Sequence, residues 1–269
     1  MDEEPRLGPL VGLGRTAEVF ALGDDRVVKL MRPAFPGAEA ELEARAAQRV
    51  TDANLAAPRF HGLVRIDGRV GLVYDRVDGP SMLDELLRDP TRADTLARLM
   101  AELHAEMHAR TAGTLPSLAE GIRHAIERAT SRIGDDIRSA ALRRLEELPD
   151  ADALAHGDLH PGNVILTSAG PRVIDWLTAS RGPDAADVAR SLFLVADSVV
   201  PPDLPATDAR TLQTLRKAFA ATYLARYREL RRVGAEEIAA WRLPMLAARA
   251  AEGVDGELPH LLRLIAAEL

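Results

Sequence analysis

The stretch His156-Gly157-Asp158-Leu159-His160-Pro161-Gly162-Asn163, followed by Ile174-Asp175-Trp176, decides the fold of this chain. Asp158 stands in a segment interrupted by Gly and Pro, which predicts a loop and not a helix. A carboxylate held on such a loop can accept the proton of an attacking hydroxyl in a phosphoryl transfer. A lone Asp in an acidic turn would carry no such meaning, so the inference depends on the whole string.

A hairpin is predicted directly after this loop. Val164-Ile165-Leu166 and Arg172-Val173-Ile174 are short β-rich runs around a Ser-Ala-Gly-Pro turn. Such a hairpin would hold Asn163 and Asp175 at its two neighbouring ends, close to Asp158. Amide and carboxylate oxygens are hard ligands suited to Mg²⁺, which takes few protein ligands and relies on substrate phosphates for the others.

The two motifs resemble the catalytic and metal motifs of the aminoglycoside phosphotransferase and choline kinase-like family, whose members are small-molecule kinases with the protein-kinase fold. Protein kinases carry H-R-D-x-x-x-x-N and D-F-G with the same internal spacing. Here Gly157 replaces the Arg, Trp176 replaces the Phe, and no obvious A-P-E segment is present. These departures favour a small-molecule kinase over a protein kinase.

The resemblance implies an α+β, two-lobed protein-kinase-like fold. Residues 1–76 would form a nucleotide-binding lobe, a small antiparallel sheet with one main helix. Residues 77–269 would form a larger, mostly helical lobe with the catalytic loop and the acceptor site. In agreement, residues 9–31 have the pattern of three short strands, and residues 37–51 have helical periodicity.

Lysine usage singles out one basic residue. Among 34 basic side chains only Lys29 and Lys217 are lysines. Lys29 lies in the strand-like run Val27-Val28-Lys29-Leu30, where a kinase needs the lysine that holds the nucleotide phosphates. It follows a loop with Gly12, Gly14 and Thr16, in which glycines would let backbone amides approach phosphate oxygens. Ala17 replaces the third glycine of the kinase pattern.

Two further nucleotide contacts follow from the resemblance. A glutamate of the helix at 37–51 should pair with Lys29; we choose Glu43, with Glu39 as the alternative. The strand that ends near Asp75 leaves the sheet through Gly79-Pro80, where the lobes of such a kinase meet. Backbone groups of Asp75 and Val77 would contact the adenine there.

Some polar residues are expected to have structural roles. His104 and His108 lie one helical turn apart, a spacing that could bind a metal, but the sequence indicates no third ligand, and a structural pair is favoured. Asp187 opens a helix after Gly182-Pro183, and in relatives an Asp at this place braces the catalytic loop. His156 is expected to order the loop.

Composition limits the partners. The chain has 269 residues, 47% hydrophobic and 28% charged, which is ordinary for a globular protein. The net charge of −7 without a basic stripe argues against nucleic acid and fits a cationic acceptor. Neither a signal peptide nor a run of the ~20 apolar residues that a membrane span needs is apparent. We therefore expect a cytoplasmic protein without membrane partners, a monomer or weak homodimer.

The function predicted from these features is transfer of the γ-phosphate of ATP, or GTP, to a hydroxyl of a small molecule with Mg²⁺ as cofactor. An aminoglycoside-type antibiotic is the favoured acceptor, which would make the chain a resistance enzyme. The alternative acceptors are choline, a sugar or an amino alcohol. A nucleotide-binding regulator without catalysis is the rival from another class, although every residue needed for transfer is present.

Overall fold

The computed structural model describes residues 6–14, 16–33, 37–199 and 206–269. Its strands are β1 (Leu10–Leu13), β2 (Ala17–Leu22), β3 (Arg26–Met31), β4 (Phe60–Ile66), β5 (Arg69–Asp75), β6 (Ala153–Ala155), β7 (Val164–Thr167), β8 (Gly170–Val173) and β9 (Ser180–Gly182). Its helices are α1 (Gly37–Asp52), α2 (Met82–Arg88), α3 (Ala93–His108), α4 (Leu118–Arg128), α5 (Thr130–Ile133), α6 (Asp135–Glu146), α7 (Asp184–Leu192), α8 (Ala206–Leu230), α9 (Ala235–Ala240), α10 (Arg242–Arg249) and α11 (Leu258–Ala266).

The chain divides into two compact units. The first unit contains the chain up to Leu83 together with Gly162–Ala179, and the second contains Asp84–Pro161 and Ser180–Leu269. The first unit is built on an antiparallel sheet in the order β1-β2-β3-β5-β4. The three strands predicted in residues 9–31 and the helix predicted from residue 37 are confirmed.

Alternation along β3 decides which face of the sheet each of its side chains occupies, since successive side chains of a strand point to opposite faces. Val28 and Leu30 pack in one apolar cluster, and Met31 packs in another with Ala40 and Ala47 of α1. Lys29 therefore lies on the face of the sheet that α1 covers.

The predicted hairpin forms between β7 and β8 and belongs to the first unit. Val164 pairs with Val173, and the amide of Ile174 donates to the carbonyl of Asn163 at 3.0 Å. Asn163, directly before β7, and Asp175, two residues after β8, thus lie together at the open end of the hairpin, as the sequence predicts.

The second unit is mainly helical. α3 packs along α8, and α10 packs against α4, α6, α7 and α11. Its buried side chains include Met100, Ile126, Phe219 and Trp241. The short strands β6 and β9 pair antiparallel. β6 ends at Ala155, directly before the segment that contains Asp158. Within the part of the chain that the structure describes, no helix is both long and apolar enough to cross a membrane.

Candidate active site

Lys29 of β3 and Glu43 of α1 form an ion pair. Nζ of Lys29 lies 2.7 Å from Oε1 of Glu43, and the glutamate side chain is only 1% exposed. Glu43 reaches the lysine because it shares a helix face with Ala40 and Ala47, three and four residues away, which pack on the sheet. The geometry thus selects Glu43 over Glu39 as the partner of Lys29.

Lys29 also donates to Asp175, at 2.7 Å from Oδ1. Burial works to lower the pKa of Lys29, but the carboxylates of Glu43 and Asp175 outweigh it, so the pKa is raised and the ammonium stays charged. Tyr74 donates its hydroxyl to Oε1 of Glu43 at 3.2 Å. Burial raises the pKa of Tyr74 well above its usual range, so this hydroxyl remains a donor.

Asp175 has an unusual backbone conformation. Its φ is +65°, one of three positive values at non-glycine residues among the described residues. Such a conformation is costly for a residue with a side chain and tends to persist where the surroundings impose it, often at functional sites. Asp175 is 45% exposed at its side chain, and it is therefore accessible as well as bound to Lys29.

The glycine loop joins β1 to β2. Gly12 pairs with Val19 in the ladder, and the amide of Gly14 donates to the carbonyl of Ala17 at 2.9 Å. A Cβ at Gly14 would come within 3.3 Å of that carbonyl oxygen, so the loop closes best with glycine there. The carbonyl of Thr16 accepts from the amide of Arg32. Ala17, in place of a third glycine, is buried in the core below α1.

The strand β5 ends at Asp75. Its amide donates to the carbonyl of Arg59 at 3.0 Å, and Oδ1 of its carboxylate accepts from Nε2 of His61 at 2.6 Å. The amide of Asp75 is therefore already bonded within the protein. Val77 follows in the irregular segment after the sheet.

Asp158 belongs to the second unit. Nη2 of Arg190 lies 3.4 Å from its Oδ1, and Nε2 of His160 lies 3.9 Å from its Oδ2. The amide of Asp158 donates to Nδ1 of His156 at 3.2 Å, and His156 is fully buried. His156 therefore orders the loop, as expected.

Asp187 braces the same loop. Its Oδ2 accepts from the amide of His156 at 2.6 Å, and its Oδ1 accepts from the amide of Gly157 at 2.8 Å. These two amides directly precede Asp158 along the chain, and Gly157 has a positive φ of 77°. The predicted support of the catalytic loop by Asp187 is visible in these bonds.

Arginine–carboxylate pairs surround Asp158. Arg190 lies 2.7 Å from Glu252 and also donates from Nε to the carbonyl of Gly157 at 3.3 Å. Arg249 pairs with Glu252 and, at 2.7 Å, with Glu257. Glu257 is 1% exposed. Glu252 and Glu257 are therefore both paired with arginines.

Sequence reasoning missed Arg190 and all the tyrosines. Arg190 lies one turn after Asp187 on α7, on the same face, and this spacing was a usable signal. The chain has only three tyrosines. Tyr74 binds Glu43, Tyr223 binds His104 and Tyr227 binds His108. The rarity of tyrosine in the sequence was therefore a signal of the same kind as the rarity of lysine.

Comparisons with known proteins agree with the fold. The chain resembles the aminoglycoside-3'-phosphotransferase of type VIII with a TM-score of 0.63 at 19% identity, covering 91% of each chain. It resembles APH(2")-IIa, solved with streptomycin and ATP, with a TM-score of 0.60 at 16% identity, covering 98% of this chain and 90% of that one. It resembles the amicoumacin kinase hAmiN, solved with AMP-PNP and Ca²⁺, with a TM-score of 0.65 at 12% identity, covering 97% and 87%.

These likenesses confirm the protein-kinase-like fold predicted from the catalytic segment. No curated protein matches the chain by sequence at a significant level. The profile of the phosphotransferase enzyme family matches residues 9–241, which is most of the chain. The chain therefore belongs to the phosphotransferase enzyme family, and the predicted enzyme class, a phosphotransferase acting on a small-molecule hydroxyl, is confirmed.

Proposed function

We propose that this enzyme moves the γ-phosphate of ATP to a hydroxyl of an aminoglycoside-type small molecule. The observation that carries the proposal is the charged ammonium of Lys29, held by Glu43 from the neighbouring helix. In kinases a lysine fixed in this way holds the nucleotide phosphates. The relatives solved with ATP and with AMP-PNP support ATP as the phosphate donor.

The residues up to 76 serve as the nucleotide lobe in this proposal. Amides of the loop at Gly12 and Gly14, with the hydroxyl of Thr16, bind phosphate oxygens. The carbonyl of Asp75 and the backbone of Val77 bind the adenine edge. Residues 77–269 carry the base and bind the acceptor.

Asn163 and Asp175 fit a magnesium site. Both offer oxygen donors, they lie at the open end of one hairpin, and the carboxylate of Asp175 is accessible. The ion would neutralise charge on the phosphates. Lys29, bound to Asp175 at 2.7 Å, would add a second positive charge to the same region.

Asp158 acts as the base. The acceptor oxygen forms a bond to the γ-phosphorus, the bond from that phosphorus to the β–γ bridging oxygen breaks, and the hydroxyl proton passes to the carboxylate of Asp158. Because the transition state of such transfers is loose, positioning contributes more than the strength of the base. Arg190, 3.4 Å from Oδ1, orients this carboxylate.

The acceptor class has two candidates. The solved relatives that act on or bind aminoglycosides support an aminoglycoside-type acceptor. A metabolic acceptor with less positive charge is favoured by a different observation, the pairing of Glu252 and Glu257 with arginines beside Asp158. Carboxylates that already have cationic partners attract a polycation less strongly.

Transfer of ³²P from [γ-³²P]ATP to a panel of aminoglycosides, choline, sugars and amino alcohols tests the proposal. We expect one class to become labelled in the presence of Mg²⁺, and Asp158→Asn to lower the rate of labelling by roughly 10²-fold or more. Tight ATP binding without labelling of any acceptor and without ATP consumption would overturn catalysis and favour a regulator. Labelling of neutral acceptors alone would exclude the aminoglycoside-type acceptor.

A further inference from the structure

A group of five buried polar side chains stands behind the catalytic loop in the second unit. It consists of His104 and His108 of α3, Asp187 of α7, and Tyr223 and Tyr227 of α8, each at most 3% exposed. Burial of so many polar groups is costly unless each finds a hydrogen-bond partner. Their bonds form one connected network, which we call the relay.

The relay has two similar branches. Nδ1 of His104 lies 2.6 Å from the hydroxyl of Tyr223, and Nδ1 of His108 lies 2.6 Å from the hydroxyl of Tyr227. The opposite ring nitrogens, Nε2 of His104 and of His108, lie 2.9 and 3.2 Å from Oδ2 of Asp187. Both branches therefore converge on one carboxylate oxygen.

The protons in the first branch can be assigned. Burial lowers the pKa of His104 to about 4, so its ring is neutral at neutral pH. Burial raises the pKa of Tyr223 well above its usual range, so its hydroxyl keeps its proton. A neutral imidazole has one donor and one acceptor nitrogen. Tyr223 thus donates to Nδ1 of His104, which places the ring proton on Nε2, where it is donated to Asp187.

Asp187 is surrounded by polar groups. The amides of His156 and Gly157 and Nε2 of His104 donate to it, and Nε2 of His108 lies 3.2 Å from its Oδ2, so four nitrogens reach a carboxylate that offers about four lone-pair sites. A fully satisfied buried network is rigid, and loss of one donor leaves a buried charge undercompensated. The orientation of Asp187 therefore depends on the two histidines.

We propose that His104, His108, Tyr223 and Tyr227 are positioning residues for phosphoryl transfer. They fix Asp187, which fixes the amides of His156 and Gly157 and so the backbone that presents Asp158. The inference rests on the proposed role of Asp158. It differs from a metal site because the proton on Nε2 of His104 lies between that nitrogen and Asp187, and both Nδ1 atoms face hydroxyl groups.

The test uses two readouts on His104→Leu, His104→Gln and Tyr223→Phe. We expect His104→Leu to lower kcat by about tenfold to 10²-fold, since small misplacements of a reacting group have effects of this size, while KM for ATP changes by less than about twofold. His104→Gln keeps a donor toward Asp187 and should recover much of kcat. Tyr223→Phe, nearly isosteric, should lower kcat less than His104→Leu does.

Hydrogen exchange supplies a readout that does not need activity. The amides of His156 and Gly157 should exchange about tenfold faster or more in His104→Leu, because the acceptor that protects them becomes mobile. Amides of β3 should be unchanged. Thr222→Val is the matched control, since it removes a hydroxyl from α8 that contacts the exposed Asp94 at 3.3 Å.

Unchanged exchange at 156–157 in a folded His104→Leu variant, or in Tyr223→Phe if the leucine variant does not fold, would overturn the relay. A stoichiometric metal ion in the purified protein, with a chelator reproducing the effect of His104→Leu, would also overturn it. If the wild-type enzyme transfers no phosphate, the proposed function fails, and the exchange rates still decide whether the relay exists.

Discussion

The ammonium of Lys29 lies 2.7 Å from the Asp175 carboxylate, although 146 positions separate them in the chain. The same ammonium contacts Glu43 at the same distance. One lysine thus links the five-stranded sheet of the first unit, the helix α1 and the end of the β7–β8 hairpin. A nucleotide lysine and a metal-binding aspartate, predicted from separate motifs, belong to one local cluster.

Replacement of Lys29 by Met should lower kcat/KM for ATP by about 10²-fold, because it removes the charge that holds the phosphates. Lys29→Arg should recover little, since the broad guanidinium cannot replace a compact ammonium between two carboxylates 2.7 Å away. Steady-state kinetics check this. Lys217→Met, which removes the exposed second lysine, is the control and should behave as the wild type.

Substitutions of Asp158 and of Asp175 should have different effects on turnover and on nucleotide binding. Asp158→Ala should lower kcat by roughly 10²-fold or more with nucleotide affinity nearly intact, because the base acts on the acceptor hydroxyl. Asp175→Ala should weaken binding of magnesium–ATP itself. Isothermal titration of both variants with nucleotide, alongside turnover, separates the two effects. Near-native turnover in Asp158→Ala would exclude it as the base.

Arg190→Met should lower kcat by about tenfold, because Asp158 loses the group that orients it. The substitution also leaves Glu252, at 2.7 Å from Arg190, with one cationic partner fewer. We expect the free energy of unfolding to fall by about 1–2 kcal/mol. Arg123→Met breaks the exposed pair with Glu146 and should change stability by less than about 0.5 kcal/mol. Urea unfolding measures the stability of both variants. Equal losses of unfolding free energy would contradict the expectation that the more buried pair contributes more.

Stability should depend on pH through His104. Burial lowers its pKa from 6.5 to about 4. Between these values the unfolded chain binds a proton that the folded chain does not, so the free energy of unfolding falls as the pH drops through this window. The residue accounts for up to about 3 kcal/mol of this fall.

Asp187 affects the free energy of unfolding at a lower pH than His104 does. Burial works to raise its pKa, but His104 and His108 outweigh it and hold the pKa well below its usual range. Its contribution is present above about pH 4 and is lost only below that value. Urea unfolding between pH 7 and 4.5, compared between the wild type and His104→Gln, therefore measures the contribution of His104. His104→Gln should flatten the dependence, and an unchanged slope would contradict the assignment.

Local sequence was sufficient for much of the fold. The pattern of three short strands in residues 9–31 predicted β1 to β3, with the turn Gly23-Asp24-Asp25 between β2 and β3. The hairpin after Asn163 followed from the same signals. These elements depend on contacts between neighbouring residues, which a linear pattern contains.

The sequence by itself determined the enzyme class and the loop with Asp158, and it singled out Lys29 as a candidate, because motif spacing and residue types specify them. Only the tertiary structure decided that Glu43, and not Glu39, pairs with Lys29, since this depends on which face of α1 packs on the sheet. Only the structure joined His104 and His108 to Asp187 and the two tyrosines. Such pairings arise where distant helices pack, and no local pattern records which side chains meet there.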